Sequence, residues 1–120
     1  MSHENAVHTQ LAALDTRSPI EGVVARRLAG EKVMIQDLDI AKGASAPLHN
    51  HENEQIMVLL SGRFQMTVHD ADGAPRVMDM RAGDVVHLPP NCPHSGTALE
   101  DCRVLDVFSP PAEATGIDQG

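Results

Sequence analysis

Residues 43–62 read GASAPLHNHENEQIMVLLSG, and in them His49, His51 and Gln55 stand directly ahead of an apolar run, Ile56 to Leu60. Side chains alternate faces along an extended strand, so two imidazoles one residue apart point to the same side. Gln55, four positions beyond His51, has the same parity and brings its amide oxygen toward the same point. A second stretch, residues 83–98, reads GDVVHLPPNCPHSGTA and delivers His94 after a proline-rich turn. If that strand lies beside the first, His49, His51, Gln55 and His94 make a four-ligand metal site. Three imidazoles and an amide oxygen suit zinc, nickel, iron, manganese or copper, and ligand type alone does not choose among them.

Around these two stretches the chain reads as short strands separated by turn chemistry. Strands are expected over Val23 to Leu28, Val33 to Ile40, Gln55 to Leu60, Arg63 to His69, Arg76 to Met80, Val85 to Leu88 and Cys102 to Phe108. Ala29-Gly30, Lys42-Gly43, Ser61-Gly62, Asp70 to Gly73 and Ala82 to Asp84 supply the turns, and Pro110-Pro111 stops the last strand. About eight strands and no convincing long helix imply an all-β barrel or double-sheet jelly roll, whose mouth can hold one ligand. Residues 1–19 are expected to form an arm with at most a short helix over Thr9 to Leu14, residues 20–111 the domain, and residues 112–120 a loose tail.

At 120 residues the chain fits one domain. Its aromatic supply is only Phe64 and Phe108, so the six methionines are expected to fill much of the core. A formal charge of −8 leaves no basic stripe for tracking phosphates and no attraction to an anionic membrane surface. No apolar stretch approaches a membrane span or a signal-peptide segment, which points to a cytoplasmic protein. Cys92 and Cys102 are expected to be reduced structural thiols. His69 reads as a solvated strand end, His3 and His8 belong to the arm, and His87 lies mid-strand with its facing open.

The spacing Gly43-x5-His49-x-His51-x3-Gln55-x6-Gly62 resembles the first motif of the cupin family, and Gly83-x5-Pro89-x-Asn91-x2-His94 resembles the second. The resemblance implies a single-domain cupin β-barrel of two facing sheets, with His49, His51, Gln55 and His94 as metal ligands. Gln55 stands where Glu is commoner, Asn91 replaces a Gly, and Ala98 replaces an Asn. Asn91 is a mild change, since Asn tolerates the left-handed conformation. A neutral Gln55 leaves the full dipositive charge on the ion and sharpens its Lewis acidity. Small cupins of this kind commonly pair, so the resemblance also implies a homodimer.

Val24 to Arg27, Gln55, Ser61 to Phe64 and the segment Leu99 to Pro111 are similar to pectin-degradation cupins of the KdgF type, which linearise unsaturated uronate monosaccharides. In those proteins an Asp and a Phe on the last strand line the pocket; Asp106 and Phe108 match them. Phe64 and Arg27 are further candidates for the substrate pocket. The family's pocket Arg is replaced by Ala112. The expected function is a metal-dependent enzyme of the lyase or isomerase type, with Asp106 moving a proton on a small oxygenated substrate such as an unsaturated uronate. A non-haem metal dioxygenase and a non-catalytic small-molecule-binding cupin are the alternatives.

Overall fold

Alternation sets the sheets. Met34, Gln36, Leu38 and Ile40 are buried along one face of their strand, and Cys102, Val104, Asp106 and Phe108 are buried along one face of the last. These faces meet because the two strands pair antiparallel with Gln36 opposite Asp106 and Leu38 opposite Val104. A computed structural model of the chain describes residues 3–112; the tail expected over 112–120 lies, apart from Ala112, outside the described residues. Among the described residues the strands are β1 (Thr16–Arg17), β2 (Val23–Ala29), β3 (Met34–Ile40), β4 (Ser45–His49), β5 (Glu54–Ser61), β6 (Arg63–His69), β7 (Pro75–Arg81), β8 (Val85–Leu88), β9 (His94–Ala98) and β10 (Cys102–Ser109).

They form two antiparallel sheets, one ordered β1-β2-β3-β10-β5-β8 and the other β4-β9-β6-β7. This is the expected all-β jelly roll, with two strands more than the eight or so anticipated. One of them, β1, is two residues long and belongs to the arm, where it pairs with β2. The arm's only other regular piece among the described residues is a 3-10 turn at Leu11–Ala13, inside the segment expected to be briefly helical.

Between the sheets lies the core, with Leu38, Leu59, Val68, Leu88 and Val104 almost wholly buried. Four methionines, Met34, Met57, Met66 and Met80, join them. They fill the gaps that a chain poor in aromatics leaves, because a thioether side chain adapts to irregular space. Asp37 breaks the pattern: it is buried on the outward face of β3, held by Arg103 at 3.2 Å and by Arg26 at 3.6 Å. Both cysteines are free.

Candidate metal centre

β4 ends at His49. The strand alternation expected to carry His49 and His51 together therefore does not continue; His51 lies in the connection to β5, and its position is fixed from elsewhere. The backbone N–H of Asn91 donates to the His51 carbonyl oxygen at 2.8 Å. Asn91 does so from a left-handed backbone, φ +65°, the conformation that Asn tolerates and β-branched residues do not. His94 begins β9 directly opposite His49.

Each imidazole is held by a carbonyl. The Nδ1 of His49 lies 2.7 Å from Pro47 O, that of His51 2.9 Å from Asn53 O, and that of His94 2.9 Å from Cys92 O. A carbonyl oxygen only accepts, so the proton of each neutral ring sits on Nδ1 and the Nε2 lone pair is left available. The three rings converge, with centroids 4.2 to 5.8 Å apart and one ligand nitrogen from each within 4.8 Å of the others. His51 Nε2 is buried without a hydrogen-bond partner. A buried polar atom left unpaired is costly, and a divalent cation is the partner this trio of lone pairs fits.

The same surroundings favour the uncharged form of His94 and His51. Burial pushes His94 down to about 4, against the pull of the Cys92 carbonyl, and the neighbouring His49 and His51 push it the same way. His51 is also lowered, chiefly by burial; the Asn53 carbonyl opposes this. The Gln55 amide opposes it too, lying close by without closing a well-formed hydrogen bond.

Gln55 comes from the other sheet, so the site spans both. It is buried, and its Nε2 donates to Asp106 Oδ1 at 2.9 Å. An amide that spends its nitrogen on a carboxylate turns its oxygen away from that carboxylate. Asp106 is buried too, and its second oxygen accepts from Gln36 Nε2 at 3.5 Å. Burial pushes its carboxyl up to about 6, against the hydrogen bonds from Gln55 and Gln36 and the charge of Arg27.

These groups face a cavity of about 50 Å³ lined by His49, Gln55, His94, Asp106, Phe64 and Phe108 with Met57, Met66 and aliphatic neighbours. That is room for a few waters or a small organic molecule. Phe64 and Phe108 both line it, and Phe108 also meets His51 edge to face at 5.7 Å. Arg27 does not line the cavity; its Nε donates to Gln36 Oε1 at 2.5 Å. No Lys or Arg is among the lining residues. His87 faces outward, half exposed and 2.6 Å from Glu54. Sequence reading missed Gln36, which is fully buried. Its parity with Met34, Leu38 and Ile40 was the available signal.

A small barrel of two facing sheets with three convergent imidazoles between them defines a metal-site cupin architecture. The cupin domain family model matches residues 36–108, and the chain belongs to that family. Auxin-binding protein 1 of Arabidopsis thaliana is 30% identical over 77 residues, which are 59% of this chain and 39% of that protein. Oxalate decarboxylase of Lactobacillus farciminis, solved as a formate complex, superposes with a TM-score of 0.81 at 26% identity, over 93% of this chain and 36% of the decarboxylase. The chain thus spans well under half the length of either. KdgF of Halomonas is similar over nearly its whole length, 91% of this chain and 97% of that one, with a TM-score of 0.78 and 24% identity.

Proposed function

We propose that this chain is a metal-dependent enzyme of the lyase or isomerase type that moves a proton on a small oxygenated substrate. His49, His51, Gln55 and His94 are the ligands in this reading. A divalent ion held by four neutral donors would keep its dipositive charge, polarising a carbonyl or hydroxyl or taking a substrate carboxylate. The observation that carries the reading is Asp106, a buried carboxylate at the cavity wall with both oxygens on amide donors. Burying a carboxylate in a barrel interior is costly, and a proton-transferring role beside a substrate accounts for it. Phe64, Phe108, Met57 and Met66 give that cavity a largely apolar lining. With no cation lining the cavity, and with Ala112 in place of the pocket Arg, an unsaturated uronate and a smaller acid such as oxalate are both candidate substrates. Oxalate is what the similar decarboxylase acts on by name.

The test is an anaerobic turnover screen of oxalate, small oxo and hydroxy acids and an unsaturated uronate, with parent and Asp106→Asn. The parent is expected to turn over one of them without oxygen, and the variant to bind it while losing about 100-fold or more in rate. Turnover that stops when oxygen is removed would sink the lyase or isomerase reading in favour of a dioxygenase. A binding role is the second reading, favoured by the likeness to a protein named for binding auxin; saturable ligand binding with no turnover by the parent would establish it.

We also propose a homodimer. The outward face of the six-stranded sheet exposes Leu28, Ile56, Leu60 and Val85, each at least 38% accessible, an apolar surface of the kind that partners cover. Light scattering is expected to give twice the 12.9 kDa chain mass; a monomer would contradict this.

A further inference from the structure

Arg27, Gln36 and Asp106 are direct cross-strand neighbours, Arg27 opposite Gln36 between β2 and β3 and Gln36 opposite Asp106 between β3 and β10. The next inward row along the same strands is Ala25, Leu38, Val104 and Leu59, apolar throughout. A leucine at position 36 would continue that packing, yet the chain places there an amide with no solvent exposure. Side chains opposite each other in a sheet interact directly, so the polar row forms one connected unit.

The unit has a direction. An arginine only donates, and Arg27 Nε donates to Gln36 Oε1. The Gln36 oxygen is thereby committed to the rim, and its nitrogen faces Asp106 Oδ2. Asp106 must accept there, and it accepts again on Oδ1 from Gln55 Nε2. With its nitrogen turned to Asp106, Gln55 has its oxygen free for the cavity it shares with His49 and His94.

We infer that Gln36 and Arg27 are positioning residues of the metal centre: the donor at Arg27 sets the direction of the Gln36 amide, Gln36 holds the Asp106 carboxylate in place, and that carboxylate takes the Gln55 N–H, so that the Gln55 oxygen faces the ion. The inference rests on the proposed ligand set. It makes the fourth ligand depend on a residue at the barrel rim that touches neither ion nor substrate. Outer partners of this kind typically change metal affinity about ten- to a hundredfold.

The experiment compares full-length parent, Arg27→Met, Arg27→Lys and Gln36→Leu. It reads zinc affinity by competition with a chromophoric chelator and the visible absorption of the cobalt(II)-loaded proteins, which reports the donor set. Arg27→Met, at a partly exposed site, keeps the stem that packs on the sheet and loses the donor; circular dichroism checks that it folds. Arg27→Met and Gln36→Leu are expected to bind zinc about tenfold or more weakly with an altered cobalt spectrum, and Arg27→Lys, still a donor, to restore both. Parent-like affinity and spectrum in Arg27→Met would overturn the inference, and so would Arg27→Lys behaving like Arg27→Met. A parent that binds neither metal would instead sink the ligand assignment itself, and this inference with it.

Discussion

At Asp106 and His94 the position of a side chain works against its solvation, and the two conflicts have opposite signs. The Asp106 carboxyl is raised from 3.8 to about 6. Between those values the folded protein keeps a proton that the unfolded chain has released, so stability from this group falls as pH rises through the window, by about 3 kcal/mol in all. His94 is lowered from 6.5 to about 4. There the unfolded chain takes up a proton that the folded state refuses, and stability is lost as pH falls from 6.5 toward 4. In the metal-free protein the two slopes oppose each other between pH 4 and 6. Asp106→Asn removes one of them. Asn also offers Gln36 and Gln55 only one acceptor oxygen, a loss that does not vary with pH. Urea unfolding is therefore expected to show the variant gaining on the parent steadily from pH 4 to pH 6; a constant difference would mean that Asp106 titrates as an ordinary carboxyl. Neither shift is legible in the sequence, since burial comes from strands brought together across both sheets.

Among the elements, β6 and β9 come close together beside the site. Gly96 on β9 pairs with Met66, and a Cβ there would run into the Phe64 ring. Gly96 thus lets the Phe64 ring pack against the strand and line the cavity from the four-stranded sheet. Gly96→Ala is expected to cost about 1–3 kcal/mol, and to weaken small-molecule binding by displacing Phe64. Denaturant midpoints check the first effect and ligand titration the second. The strand boundaries themselves were mostly legible. β6 and β8 run over the residues expected, and β5, β7 and β10 differ only at their ends, because alternation and turn residues act locally. β1, β4 and β9 had no expected bounds, and the connection after β4 reads as strand in the sequence. Whether the strand continues through His51 depends on a hydrogen bond to Asn91, forty residues away, which no local pattern encodes.

For the whole molecule, the proposed ion is a cross-link between the sheets, since His49 and His94 belong to the four-stranded sheet and Gln55 to the six-stranded one. An ion that binds only the folded state at a hundred times its Kd stabilises by about 2.7 kcal/mol. For a domain of this size that raises Tm by roughly 10 °C. Chelation followed by dialysis is expected to lower Tm by that amount, and readdition of the ion to restore it. His49→Ala with His51→Ala should abolish the difference; an unchanged metal-dependent shift in the double variant would refute the ligand set.

The sequence by itself determined the strands, the all-β class, the family's paired motifs and the residue types that can hold a metal. Each of these is written in local periodicity or in fixed spacing. Only the tertiary structure decided that Arg27 donates to Gln36, that Gln36 and Asp106 share a row, and that His87 faces away. Parity says which residues of one strand share a face. Register and sheet order say which strands face each other, and those are set by the packing of the whole barrel.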